Sequence, residues 1–199
     1  MKFHNILDEM FGNKTKVRLQ RAFFTYPEKG FTESELERIA GIPQASVHRN
    51  VKSFMENGLL ERKRIGKANL YSLNKEHMLY QLIQSNFEAE RNVLVELKKM
   101  IEESVKSLPQ IALAVLFGSI VKGMERADSD VDVFIVCKGE KSKLEDKLTY
   151  LTNISQNKFG NPVSLMIKNE DELQDLKTRT IFREIKNGEI IFKREGFEW

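Results

Sequence analysis

The stretch LFGSIVKGMERADSDVDVFIV, residues 116–136, decides how the second half of the chain folds. A Gly-Ser pair follows one apolar run, and three aspartates precede the next apolar run. We expect a helix to begin after the Gly-Ser pair, because the unpaired amides of a helix start can cradle phosphate. Asp130 and Asp132 lie two residues apart on an extended segment, so their carboxylates share one face and repel each other without a divalent cation. Because Mg²⁺ prefers oxygen ligands and substrate phosphates, this pattern predicts a site for a nucleoside triphosphate with magnesium.

The same residues resemble the signature of the nucleotidyltransferase superfamily that includes DNA polymerase beta. Its minimal members carry Gly-Ser, ten residues and then Asp-x-Asp, and here ten residues, 120–129, separate the two parts. The resemblance covers about residues 96–195. It implies two sets of site residues: nucleotide-binding Gly118, Ser119 and Lys122, and catalytic, metal-binding Asp130 and Asp132.

A third acid is missing from this set. Active members of the superfamily place a third carboxylate on a neighbouring strand, where it completes the metal site. The matching strand is predicted at residues 161–167, and Ser164 aligns with the acid. A serine hydroxyl is neutral and is a poor metal ligand and base at pH 7. Glu125 or Asp128 could substitute in principle, but the spacing places neither of them there. The nucleotide site is therefore predicted to be present with an incomplete catalytic set.

A different pattern occupies the first 74 residues. Two amphipathic helical segments precede a third that ends near Gly58, and Thr32 with Glu35 forms a capping-box pattern at the start of the second. The basic segment ERKRIGK and the alternating NLYSL then predict a β-hairpin around Gly66. These helices and this hairpin resemble the winged helix-turn-helix of bacterial and archaeal regulators over roughly residues 12–74.

This second resemblance implies that the third helix enters the major groove of duplex DNA and that the hairpin contacts phosphates or the minor groove. The residues so implied are Gln44, Ser46, His48, Arg49 and Lys52 on the helix, and Arg62, Lys63, Arg64 and Lys67 on the hairpin. In ERKRIGK four basic residues oppose one acid, a local charge of +3 that suits salt-dependent phosphate binding. The alternative is a solvated, charged hairpin on a small domain that mediates protein contacts.

The remaining segments complete the domain organisation. Residues 75–108 contain no glycine or proline and predict one long amphipathic helix, or two. Either the second domain or a partner chain must cover its apolar stripe from Leu79 to Val105. From Ile111 apolar strands alternate with helical segments, which predicts a sheet covered on both faces. The predicted fold class is a two-domain α+β/α/β protein: a winged helix at 1–74, a linking or dimerisation helix at 75–108, and a nucleotidyltransferase-like mixed sheet with helices at 109–199.

Composition excludes several other classes of protein. Of 199 residues 41% are hydrophobic and 31% are charged, an ordinary globular balance, and the net charge of +3 specifies no partner. The single cysteine, Cys137, suits a reducing cytosol, and three scattered histidines without a cysteine cluster argue against zinc. No apolar run approaches the ~20 residues that span a membrane. We therefore predict a cytoplasmic protein that contacts no membrane.

The sequence leaves more than one function open. The first is a DNA-binding transcriptional regulator, a homodimer on a two-fold DNA site, whose second domain binds nucleotide and magnesium with weak or lost activity. The alternative is an active nucleotidyltransferase that modifies a hydroxyl, as antitoxin-like family members modify a toxin partner. A third is a module for protein interaction alone. Ser164 favours the first function, whereas Asp130 and Asp132 keep the second open.

Overall fold

A computed structural model of the chain describes His4 and residues 11–126, 128–139 and 141–199. Among these residues it contains seven helices and two β-sheets. The chain divides into two compact units between Asn92 and Val93, and His4 belongs to the second unit. Residues 1–3 and 5–10 of the predicted first domain lie outside the described residues. No helix in the described ranges combines the length and the hydropathy of a membrane span.

The first unit is built from helices and one hairpin. Its elements are α1 (Lys14–Thr25), α2 (Glu33–Ala40), α3 (Gln44–Glu56), β1 (Leu60–Ile65), β2 (Ala68–Leu73) and the first half of α4 (Tyr80–Lys106). The predicted capping box is present, because the Thr32 hydroxyl accepts from the Glu35 amide and the Glu35 carboxylate accepts from the Thr32 amide. β1 and β2 pair antiparallel around Gly66, which confirms the predicted hairpin.

Residues 80–106 form one continuous helix of 27 residues, and its first turns pack within the first unit. The ring of Phe24 lies 5.5 Å from the rings of both Tyr80 and Phe87. Arg21 donates to the two carboxylate oxygens of Glu90 at 2.7 and 3.0 Å. The division between the units thus falls inside the segment that the sequence predicts as a separate linking helix.

The second unit is a sheet with helices on its faces. Its elements after α4 are β3 (Ile111–Leu116), β4 (Val131–Cys137), α5 (Ser142–Phe159), β5 (Val163–Asn169), α6 (Glu172–Leu176), α7 (Thr180–Lys186) and β6 (Glu189–Lys193). The strand order is β5-β4-β3-β6. β4 and β5 are parallel, whereas β3 is antiparallel to both β4 and β6, so the sheet is mixed.

The sheet carries a hydrophobic core on each face, as the continuous apolar runs predict. Ile135 faces α4 and α5, where it packs with Ile101 and Leu148. Phe134 points the other way and packs with Ile185 of α7 and with Trp199. Every residue of β3 is therefore buried, and the end of β3 lies beside the start of β4 at one edge of the sheet.

The apolar stripe of α4 is covered in part by each unit, whereas the sequence left only the second domain or a partner chain as its cover. Phe87 is buried in the first unit, and Leu97, Ile101 and Val105 are buried against the sheet of the second. The stripe as a whole is therefore not the free surface on which the dimer prediction relied. The exposed apolar residues of this stretch include Leu82, at 62% exposure.

Candidate functional site

The Gly-Ser pair lies in a turn directly after β3. The Phe117 amide donates to the Asp132 carbonyl oxygen at 3.0 Å, so the turn starts beside the beginning of β4. Gly118 has φ +79°, a conformation that residues with a Cβ rarely adopt. A Cβ on Gly118 would also overlap the Asp132 carboxylate. Glycine therefore lets the backbone of the turn approach this carboxylate, and a larger residue would force the carboxylate to shift.

The helix predicted after the Gly-Ser pair does not form, and residues 118–123 are turns instead. The Met124 amide donates to the Ser119 carbonyl at 3.0 Å, and the Gly123 amide donates to the Ile120 carbonyl at 3.3 Å. Gly123 has φ +63°, which a right-handed helix cannot contain. In the part of the chain that the structure describes, the amides of Gly118, Ser119 and Ile120 donate to no acceptor. Unpaired amides for a phosphate therefore come from a turn rather than from a helix start.

The two predicted metal-binding aspartates flank the start of β4. Asp130 is exposed, whereas the side chain of Asp132 is partly buried. Burial first, and then the charges of Asp130 and Glu184, raise the pKa of the Asp132 carboxyl above its ordinary value. The repulsion that the Asp-x-Asp spacing predicts is thus present, and a cation between the carboxylates would relieve it.

Ser164 lies beside Asp132 on the neighbouring strand. The parallel register of β4 and β5 pairs these two residues. Paired residues extend from the same face of a sheet, so an acid at position 164 would stand next to Asp132. Within the described ranges, no three His, Cys, Asp or Glu side chains are grouped closely enough to hold a metal ion.

Neither acid that could replace the missing one is placed to do so. Glu125 is buried, and its Oε1 accepts from the His4 amide at 2.9 Å and lies 2.7 Å from the His4 ring Nδ1. Asp128 is exposed and pairs with Arg126 at 3.4 Å. Neither carboxylate is among the groups that raise the pKa of Asp132.

Lys122, which the resemblance implies to be nucleotide-binding, is paired with a residue that the sequence analysis missed. Its Nζ lies 3.3 Å from Oε1 of Glu184 on α7, and both side chains are about half exposed. α7 reaches the Gly-Ser turn because β6 follows it and pairs with β3, with Glu189 opposite Leu116. No local pattern marks Glu184, since this contact depends on pairing between the first and last strands of the sheet.

A second candidate site covers α3 and the hairpin of the first unit. The buried face of α3 carries Val47, Val51 and Phe54. Of the predicted DNA-binding residues, Ser46 is half-buried, and eight are exposed: Gln44, His48, Arg49, Lys52, Arg62, Lys63, Arg64 and Lys67. The structure thus leaves the whole basic arm, and every predicted groove-facing side chain except Ser46, open to solvent.

Within this candidate surface Glu33 links α3 to β2 of the hairpin, and the sequence analysis gave Glu33 no role. Its Oε1 lies 3.0 Å from Nδ1 of His48 and accepts from the Tyr71 hydroxyl on β2 at 3.1 Å. Burial, and then Glu33, raise the pKa of Tyr71. A shallow cavity of about 310 Å³ beside these groups is also lined by Lys52 and Arg62. Glu33 therefore orients His48 and offsets part of the positive charge there.

The arrangement of the second unit agrees with a known family. Residues 99–196 match the family model described as Polymerase beta, Nucleotidyltransferase. These residues form a nucleotidyltransferase domain. The match spans the Gly-Ser turn, both aspartates and Ser164, so the resemblance drawn from residues 116–136 is confirmed for the nucleotidyltransferase domain.

Solved structures similar to the chain include two from archaea. One is a proposed nucleotidyltransferase from Sulfolobus solfataricus, 24% identical over 51% of this chain and 81% of that chain, with a TM-score of 0.33. The other is TrmBL2, an archaeal chromatin protein with a novel mode of DNA binding, 17% identical over 92% of this chain and 76% of that chain, with a TM-score of 0.31. A comparison with curated proteins finds no match.

Proposed function

We propose that the nucleotidyltransferase domain binds a nucleoside triphosphate with Mg²⁺ beside Gly118 and Asp132 and that it transfers the nucleotidyl group slowly or not at all. The observation that carries this proposal is the close approach of the Gly118 turn to the Asp132 carboxylate, whose negative charge is disfavoured by burial and by neighbouring acids. Carboxylates are hard oxygen ligands, and the free amides of the turn suit phosphate oxygens, so the donor set fits. Asp130 and Asp132 would hold the Mg²⁺, which neutralises acids and phosphates when bound.

Ser164 supports weak or absent transfer. Its register position puts a neutral hydroxyl where a third carboxylate would stand next to Asp132. A general base must accept a proton near neutral pH, and a serine hydroxyl does not. The two aspartates alone therefore bind the cation less firmly and leave the attacking hydroxyl without a base.

Calorimetry on the full chain tests this proposal. A non-hydrolysable triphosphate should bind well only when Mg²⁺ is present, and Asp132→Asn should abolish the difference, because the aspartates repel the triphosphate without a cation. Binding that depends neither on Mg²⁺ nor on Asp132 would rule out the nucleotide site.

The alternative is an active enzyme that transfers a nucleotidyl group to a hydroxyl of a partner protein, such as a toxin. The retention of both aspartates and of the glycine-dependent turn favours it. Rapid pyrophosphate release by the wild-type chain with a defined hydroxyl acceptor would establish this alternative and refute weak activity.

For the first unit, we propose a winged helix-turn-helix that binds duplex DNA, so that the whole chain is a transcriptional regulator of the cytoplasm. The order of α1, α2, α3 and the hairpin supports it, as do the exposed basic side chains of α3 and the hairpin. In this arrangement α3 reads the major groove and the hairpin holds phosphates.

Fluorescence anisotropy with the full chain separates the two kinds of DNA contact. Arg62→Ala with Arg64→Ala should weaken binding to every duplex and reduce the salt slope by about two, because two phosphate contacts are lost. Arg49→Ala should instead reduce the free-energy discrimination between bases by about 1–3 kcal/mol if the Arg49 side chain contacts guanine. Arg38→Ala removes an exposed cation of α2 outside the proposed surface and serves as the control. Salt-insensitive binding, or no binding at low salt, would contradict the proposal.

We further propose that the regulator acts as a homodimer, because two-fold DNA sites match symmetric dimers. Light scattering at micromolar concentration should then give twice the 23.1 kDa mass of one chain. A monomeric mass under these conditions would exclude a stable dimer.

A further inference from the structure

The position of α7 is set by the strand that follows it. β6 pairs with β3, and Glu189 lies opposite Leu116, two residues before Gly118. Gly188 joins α7 to β6, and a Cβ on it would lie 2.6 Å from the Leu116 carbonyl oxygen. A strand backbone cannot move aside as the end of a flexible side chain can. Glycine at position 188 therefore holds the end of α7 against the strand that leads into the Gly-Ser turn.

This placement brings a third acid to the edge of the nucleotide site. Glu184 contacts Lys122 of the turn at 3.3 Å and is near enough to Asp132 for its charge to act on that carboxylate. Glu184 thus has a cationic neighbour on one side and an anionic neighbour on the other. An acid so placed lowers the electrostatic energy of a cation bound at Asp132.

We propose that Glu184 supplies from α7 the negative charge that Ser164 does not supply from β5. The inference rests on the proposed binding of Mg²⁺ and a triphosphate at this site. Because no three acidic side chains of the described residues are grouped as a metal cluster, Glu184 acts on the cation from outside its ligand shell. It is a positioning residue: Lys122 neutralises it in the free protein, and a triphosphate draws Lys122 away to its own oxygens.

If the ion pair between Lys122 and Glu184 only stabilised the turn, the two variants would behave differently from what our proposal predicts. Breaking such a pair from either side would loosen the turn, so both variants would weaken cation binding. Under our proposal the two variants act in opposite directions. Glu184→Gln removes a charge that attracts the cation, whereas Lys122→Met removes one that repels it.

Binding of Mn²⁺ to the full chain without nucleotide, followed by electron paramagnetic resonance of the free ion, tests the proposal. At low salt Glu184→Gln should raise the Mn²⁺ Kd and Lys122→Met should lower it, each by about three- to tenfold, because each changes one unit charge near the ion. Glu184→Asp keeps the charge and should restore most of the affinity. Lys122→Met should also weaken triphosphate binding in the presence of Mg²⁺.

Glu170→Gln is the matched control. Glu170 is an exposed glutamate of the same unit that pairs with Lys138 at 3.7 Å, and it follows β5 at the end of the sheet opposite Asp132. Its replacement removes the same charge and the same kind of ion pair. Mn²⁺ affinity should stay within about twofold of wild type, since the seven residues of β5 separate this charge from the end of the sheet that holds Asp132 and water attenuates its field.

The outcomes separate this inference from the proposed function. Should Asp132→Asn abolish Mn²⁺ binding while Glu184→Gln leaves it unchanged, Glu184 has no role and the nucleotide site stands. A similar loss of Mn²⁺ affinity in Glu184→Gln and Lys122→Met would show that the ion pair only stabilises the turn, and it would also overturn the inference. If Asp132→Asn itself leaves Mn²⁺ binding unchanged, the proposed site and the inference both fail.

Discussion

Replacing Gly118 with alanine tests whether the close approach of the turn to Asp132 creates the nucleotide site. Position 118 combines φ +79° with a Cβ direction that points into the Asp132 carboxylate. Gly123 is a matched control from the same turn, because it has φ +63° but a Cβ there would meet no atom within 4 Å. The two substitutions share the backbone penalty and differ in the contact with the acid.

The loss of stability in each variant follows from the backbone penalty and, at position 118 alone, from the overlap with the Asp132 carboxylate. Alanine in the left-handed region costs about 1–2 kcal/mol, which should be the whole cost of Gly123→Ala. At Gly118 the displaced carboxylate adds an overpacking cost of about 1–3 kcal/mol, so the total should reach about 2–5 kcal/mol. Each kcal/mol lowers the Tm of a unit of this size by roughly 4–8 °C, so the two variants are readily distinguished.

Urea unfolding and calorimetry provide the assays. Gly123→Ala should bind a non-hydrolysable triphosphate with Mg²⁺ nearly as well as wild type. Gly118→Ala should lose at least about tenfold in affinity, which corresponds to about 1.4 kcal/mol. Adding Asp132→Ala should reduce the stability cost of Gly118→Ala to that of Gly123→Ala, because the overlapping carboxylate is gone.

Two results would refute this reasoning. One is an equal stability cost at both glycines, which would mean that the Asp132 carboxylate moves away without strain. The other is unchanged triphosphate affinity in Gly118→Ala, which would mean that the geometry of this turn does not create the site.

Two further substitutions address the missing acid and the response to pH. Ser164→Asp should tighten Mg²⁺ binding in calorimetry and raise pyrophosphate release, because the β-ladder places the new carboxylate beside Asp132; unchanged Mg²⁺ affinity would exclude position 164 as the place of a third acid. The hydrogen bond from Lys141 lowers the pKa of Glu172 from 4.5 to about 2, so the stabilisation is complete above pH 4.5 and is lost as the pH falls toward 2. Glu172→Gln should therefore lower the Tm at pH 7, and the difference from wild type should vanish near pH 2; a constant difference would contradict the linkage.

The elements that the sequence predicts well have local causes. Thr32 and Glu35 satisfy each other's amides within one turn, and Gly41 ends the same helix at φ +62°. The long apolar runs after Ile111 indicate buried strands, and β3 is buried along its whole length. Each of these features depends on neighbours a few residues apart, so one sequence is enough to predict it.

The features that the sequence does not reveal depend on contacts between distant segments. The pattern after Ser119 is compatible with a helix, but the positive φ of both Gly118 and Gly123 produces turns instead. Glu184 reaches the site only because β6, the last strand, pairs with β3, the strand that leads into the Gly-Ser turn. The periodicity of α4 identifies its apolar residues, yet it cannot tell which partner covers each of them.

The stacking of Phe24 on α4 has a practical consequence for dissecting the protein. A fragment that ends with the hairpin at Leu73 lacks Tyr80 and Phe87, the rings that bury Phe24. Such a fragment would present an apolar face to water, and faces of this kind promote association. Its apparent mass and its retention on DNA would then reflect the newly uncovered aromatic rings. Truncations made to isolate the DNA-contacting elements should therefore extend through Asn92, where the compact unit ends.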